Sequence, residues 1–134
     1  MVDFQIWNTS CERAYEPMVE EFYFGSHAIV VVYDITNRES FEQVDIHFSK
    51  IEKLNPYICT IALCGNKSDL EDERQVSYKE GKQLADCYGI QTFFETSAKE
   101  GTNITPLFTD LFKVHLESVK ASKVSPKCID QFKG

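Results

Sequence analysis

Ala28 to Tyr33 reads A-I-V-V-V-Y, an unbroken apolar run rich in β-branched residues. Such a run predicts a strand buried on both faces of a parallel sheet. Further on, Phe41, Val44, Phe48 and Ile51 recur at helical spacing, and Asn55-Pro56 ends that stripe. Between the two, Asp34 to Asn37 forms an exit loop with Asn37 as the helix cap. Ile58 to Cys64 predicts a second buried strand, followed by a charged loop from Gly65 to Gln75. Ser77-Tyr78-Lys79-Glu80 fits a capping box, and the helix it opens ends near Gly89. Ile90 to Phe94 is a third β-like run. The last helix presents Ile104, Leu107, Phe108 and Leu111 on one face. Pro106 is tolerated in its first turn, where no intrahelical donor is lost. Upstream, Val2 to Trp7 predicts a short strand. Asn8 to Glu16 is polar, and a weaker helical segment containing Pro17 runs to Phe24 before Gly25 breaks it.

Strands alternating with helices predict an α/β fold, a mostly parallel sheet flanked by helices. The domain is expected over residues 1–121, and the polar, lysine-bearing residues 122–134 as a mobile tail. Composition narrows the class. The 134 residues suffice for one domain with a real core, and 43% apolar with 13% aromatic content excludes disorder for most of them. A net charge of −7 argues against a nucleic-acid partner, which calls for a basic face. The five cysteines, Cys11, Cys59, Cys64, Cys87 and Cys128, match no disulfide framework or zinc knuckle. They read mainly as small buried hydrophobes in a reduced, cytoplasmic compartment. No signal peptide is evident, and no apolar run reaches the roughly 18 residues of a membrane span.

Two loops carry the chemistry. Each follows a buried strand, at the carboxyl end where open α/β sheets bind ligands. The first is Gly65-Asn66-Lys67-Ser68-Asp69. Guanine offers N1–H and its exocyclic amino group side by side, and one carboxylate, Asp69, can accept both. Charge-assisted bonds of this kind are worth roughly 1.5–3 kcal/mol each. Adenine presents a lone pair at N1 and leaves the carboxylate unpaired, so selectivity comes largely from a penalty on the wrong base. Asn66 can bridge the base edge and the neighbouring loop, and the stem of Lys67 can lie along the base. The second loop is Thr96-Ser97-Ala98-Lys99. There the Ala98 N–H can donate to guanine O6, and the Lys99 stem can cover the other base face. An N-K-x-D string alone turns up by chance in roughly one to two per cent of chains this long, so its weight comes from the strand end and the second motif.

With Glu95-Thr96-Ser97-Ala98-Lys99 beside Asn66-Lys67-Ser68-Asp69, the chain resembles the small GTPases of the Ras superfamily, and within them the Rab branch. Tyr33-Asp34-Ile35-Thr36-Asn37 with Ser40-Phe41 fits that pattern, as do Phe4-Gln5-Ile6-Trp7 and Glu21-Phe22-Tyr23-Phe24-Gly25. The resemblance covers roughly residues 2–119. It implies a partial small-GTPase fold of the P-loop NTPase type, with the first two strands absent. It implies GTP or GDP as ligand with magnesium, GTP hydrolysis, and a switch in vesicle-mediated and intracellular protein transport. Rab effectors or regulators are the implied partners, and a location peripheral to endomembranes is implied for a complete form.

The departures are specific. The family's G-x-x-x-x-G-K-[ST] phosphate loop does not occur in these residues, and the resemblance begins at the family's third strand, so the reading expects an N-terminally truncated member. Where the family has W-D-T-A-G-Q-E, the chain has Trp7-Asn8-Thr9-Ser10-Cys11-Glu12-Arg13. Asn8 takes the position of an aspartate that holds magnesium through water. Cys11 takes that of a glycine whose N–H approaches the γ-phosphate, where a side chain restricts the backbone. Glu12 takes that of the glutamine that orients the attacking water, the catalytic position of the family. Together these predict little or no GTP hydrolysis by the chain. The alternatives are a non-catalytic interaction module that keeps guanine recognition, and a fragment without function. Without the first strand, Val2–Trp7 is expected either to pair with Ala28–Tyr33 or to detach, with marginal stability or oligomerisation. Cys128 lies in neither a C-a-a-X box nor a terminal cysteine pair, so prenylation is not supported. His27, His47 and His115 have no partners that would make them ligands. Trp7, Tyr15 and Tyr23 fit either ordinary packing or an effector-facing aromatic surface.

Overall fold

The structure, a computed structural model, describes residues 5–9, 21–54 and 59–121. Its sheet has three strands, β1 (Ala28–Asp34), β2 (Thr60–Asn66) and β3 (Thr92–Glu95), in that spatial order. All pairs are parallel, with Asp34 opposite Asn66 and Gly65 opposite Glu95. Among the described residues, the helices α1 (Arg38–Glu42), α2 (Val44–Leu54), α3 (Tyr78–Cys87) and α4 (Ile104–Ala121) connect and cover them.

Local chemistry sets several of the helix ends. The Asn37 side chain accepts from the Ser40 N–H and opens α1. Ser77 and Glu80 form the complete reciprocal capping box at α3. After α3, Gly89 takes a left-handed φ of 67° and turns the chain towards β3. The stripe from Phe41 is split at Gln43 into α1 and α2, but Val44, Phe48 and Ile51 are buried together as the spacing predicts.

The sheet has two covered faces. Val31, Tyr33, Leu63 and Phe93 meet Val44, Phe48, Ile51 and Ala85 on one side. Ala62 and Cys64 meet Leu107 and Leu111 of α4 on the other.

Several expectations are corrected. Burial of β1 on both faces does not hold, since Val31 and Tyr33 are buried but Val32 is 55% exposed. A single helix, α4, covers that face, and it lies mainly over β2 and β3. The second strand starts at Thr60, whose N–H enters the ladder through His27 O at 3.1 Å, and it runs on to Asn66. The third starts at Thr92, because the Ile90 N–H is spent on Ala85 O at 2.8 Å, closing α3. Gln5 to Thr9 is not strand, and Val2 to Phe4 lie outside the described residues. Ile6 instead shares an apolar cleft of about 340 Å³ with Ile104, Phe108 and Phe112 of α4. Phe108, 37% exposed, lines that cleft and does not share the burial of Leu107 and Leu111. Trp7 is 67% exposed and stacks on Phe22 at 5.2 Å, while Tyr23 packs against the main core. Tyr15 and the tail from 122 lie outside the described residues, as do Cys11, Glu12 and Cys128. Cys64 is buried as expected, but Cys87 is exposed.

Candidate functional site

The two loops leave adjacent parallel strands, so Asn66 and Glu95 end their strands side by side. Backbone bonds bind the loops together: Thr96 N–H to Gly65 O at 2.8 Å and Ser68 N–H to Thr96 O at 2.9 Å. Asn66 Oδ1 adds a side-chain link, accepting from Thr96 Oγ1 at 3.2 Å and from the Ala98 N–H at 3.1 Å. Asn66 thus bridges the neighbouring loop as expected. The Ala98 N–H is committed to that bond, so donation to a ligand requires a shared, three-centre geometry.

Lys67 follows with φ 67°, a conformation that non-glycine residues enter rarely. The turn is closed by Leu70 N–H to Lys67 O at 2.9 Å. The Lys67 ammonium pairs with Asp34 Oδ2 at 2.6 Å across the β1–β2 pair. Asp34 Oδ1 accepts from the Thr36 N–H at 2.8 Å and from Thr36 Oγ1 at 2.7 Å. Burial acts to raise the Asp34 pKa, but the Lys67 and Thr36 hydrogen bonds outweigh it and hold the carboxyl below its usual range.

Asp69 is held by the opposite loop. Ser97 Oγ donates to Asp69 Oδ1 at 2.7 Å and accepts from the Glu100 N–H at 3.1 Å. Ser97 is fully buried, and its backbone exchanges two bonds with Thr102, both 3.1 Å. Behind the loops, Arg74 clamps their far sides. It makes two bonds to Glu95, at 2.6 and 2.7 Å, and two to Glu71, at 2.8 and 2.7 Å. Bidentate pairing of this kind is geometrically selective as well as strong.

Asn66, Lys67, Asp69, Leu70, Ala98 and Lys99 line a cleft of about 350 Å³. That volume lies at the small end of ligand pockets, roughly 300–1,000 Å³, and matches a base rather than a whole nucleotide. Ser97 stands behind it as the support of Asp69. Sequence reasoning missed Leu70, an apolar wall, as well as the Asp34–Thr36 anchor and the Arg74 clamp. The Tyr33–Asn37 motif carried a signal for the anchor, and the charged loop before Val76 one for the clamp.

The other expected residues are not brought to this cleft. Asn8 is exposed in the Gln5–Thr9 segment and is not among the cleft's lining residues. Asn8 offers only a neutral amide, and among the described residues no cluster of His, Cys, Asp or Glu could hold a metal ion. Those residues do not fit a magnesium site. His27 and His115 meet edge to face at 5.9 Å, and His115 Nδ1 lies 3.1 Å from Thr60 Oγ1. No helix among the described residues is long and apolar enough to cross a membrane.

Comparison with known proteins gives the family. The family model described as "Ras family" matches residues 1–117. "Ras-related protein RIC1" of Oryza sativa subsp. japonica is 37% identical over 136 residues, covering 99% of this chain and 67% of that protein. "Ras-related protein Rab-3A" of Homo sapiens is 38% identical over 121 residues, covering 90% and 54% respectively. "Ras-related protein Rab-19" of Rattus norvegicus is 37% identical over 112 residues, covering 84% and 52%. The chain therefore spans about half the length of the two Rab relatives.

Proposed function

The chain belongs to the Ras family and is Rab-like within it, and from that premise we propose that its cleft reads the guanine base of GTP and GDP. The observation that carries this reading is Asp69, lining the cleft with Oδ1 held by Ser97. Among the described residues no hydrogen bond uses Oδ2. The carboxylate is thereby oriented to accept N1–H and the exocyclic amino group together, and it disfavours adenine, whose N1 lone pair faces it. The stems of Lys67 and Lys99 flank the base.

The wider role is that of a Rab-like switch in vesicle transport, with Rab effectors or regulators as partners and endomembranes as its location. Chemistry at the phosphates is a separate question. Magnesium, where bound, neutralises charge on the phosphates, and Asn8 brings no charge to that position. Cys11 and Glu12 further weaken stabilisation of the transferring phosphoryl group. These substitutions favour a second reading, in which the chain recognises guanine but hydrolyses GTP little.

Titrating the chain with GMP and with AMP, followed by amide chemical shifts in NMR, tests the base reading. The expected result is saturable shifts at Asn66–Leu70 and Ser97–Lys99 with GMP and none with AMP. Equal response to both nucleotides, or to neither, contradicts it. Single-turnover GTP hydrolysis at an ordinary family rate contradicts the second reading.

A further inference from the structure

We propose that Asp34 is a positioning residue of the guanine cleft, acting through Lys67; the inference rests on the base reading above. Lys67 lines the cleft, and its side chain is 51% exposed, so its stem is free to meet a ligand. Both ends of that stem are fixed. At the backbone end, the left-handed φ of 67° and the closed Lys67–Leu70 turn set the direction of the Cα–Cβ bond. At the far end, the ammonium is paired with Asp34 at 2.6 Å.

The anchor is itself rigid. Two bonds from Thr36 orient the Asp34 carboxylate, and the Asp34 N–H is bonded to Ser40 Oγ at 2.9 Å. Asp34 and Asn66 are partners across β1 and β2, which places the carboxylate one residue from the lysine that it holds. A free lysine stem samples many rotamers and loses them when a base stacks on it. The Asp34 pair removes that freedom beforehand, which raises affinity without touching the base edge. Asp34 therefore tunes binding strength, while Asp69 sets which base is bound.

The test compares GMP and IMP binding by NMR titration in the wild-type chain, Asp34→Asn, Lys67→Met and the double variant. Asparagine keeps an oxygen for Thr36 and removes the charge, so the fold is retained. The expected result is a loss of about two- to fivefold in GMP affinity for Asp34→Asn, the scale of a half-exposed ion pair. IMP affinity falls by the same factor, because hypoxanthine stacks as guanine does. In the Lys67→Met background, Asp34→Asn has no further effect. Unchanged GMP affinity overturns the inference. So does a loss that persists without Lys67, or a changed ratio of GMP to IMP affinity. Failure of the wild-type chain to bind GMP at all overturns the guanine reading and this inference with it.

Discussion

Ser97 and Asp69 stand on different loops, 28 residues apart in sequence, and are joined by a hydrogen bond of 2.7 Å. The bond aims the carboxylate. It also uses a hydroxyl that no solvent reaches, so its loss is not repaid by water. Ser97→Ala removes the support of Asp69 and also strands the Glu100 N–H. The expected cost is about 1–3 kcal/mol of stability, with weaker GMP binding, checked by urea denaturation and NMR titration. A variant that melts early yet binds GMP normally at low temperature contradicts the aiming role.

The Arg74 clamp predicts a contrast between two arginines. Arg74 and Glu95 are 18% and 12% exposed at their side chains, whereas Arg38 and Glu80 are 41% and 39% exposed. Arg74→Met leaves Glu95 largely desolvated without its bidentate partner, an expected loss of about 2 kcal/mol or more. Arg38→Met costs much less, because the pair it breaks is solvated and screened by water and salt. Denaturant midpoints of the two variants at neutral pH check the order.

Glu80 predicts an acid transition. Its hydrogen bond from Arg38, reinforced by those from Ser77, pulls its pKa from 4.5 to about 2. A folded-state pKa below the unfolded one means stability that is present above pH 4.5 and lost as pH falls towards 2. Thermal melts across that window show a decline in the wild-type chain. Glu80→Gln shallows the decline, and an unchanged slope contradicts the assignment.

Tyr33 carries a cost within the core. Its ring is 1% exposed, and among the described residues its hydroxyl has no hydrogen-bond partner. Burial, with the Glu95 charge acting in the same direction, drives its pKa well above the ordinary phenol value. Gly65 and Gly81 both face that hydroxyl, and a Cβ at Gly81 would come within 2.7 Å of Phe93 Cζ. Tyr33→Phe removes an unsatisfied polar atom and keeps the ring, so a gain of about 1 kcal/mol is expected in urea denaturation.

What was legible in the sequence follows the range of each interaction. The Asn37 cap, the Ser77–Glu80 box and the Val44–Phe48–Ile51 stripe are local, and all stand as predicted. The Asn66–Asp69 and Thr96–Lys99 loops leave adjacent strand ends, because the strand runs and short motifs mark where they start. The misread features depend on partners distant in sequence. Val32 is exposed because covering a strand depends on where the helices land, not on the strand's own residues. Gln5 to Trp7 belong to the run expected as a strand, but ladder bonds come only from a neighbour, and Ile6 packs with α4 instead. The Lys67–Asp34 pair and the Arg74–Glu95 pair join elements that sequence spacing does not relate. The same is true of the Ala98 N–H, whose use by Asn66 depends on how the two loops pack.

The most direct test of the guanine reading exchanges the acceptor for a donor. In Asp69→Asn, the oxygen of the introduced amide keeps the Ser97 bond, and its amino group replaces the other carboxylate oxygen. Xanthine carries a carbonyl where guanine carries its amino group, so the variant should bind XMP and lose GMP. NMR titration of both nucleotides against both proteins decides it. Reversed preference, GMP for the wild-type chain and XMP for the variant, is the predicted result. Unchanged preference in the variant contradicts the assignment of Asp69 as the residue that reads the base.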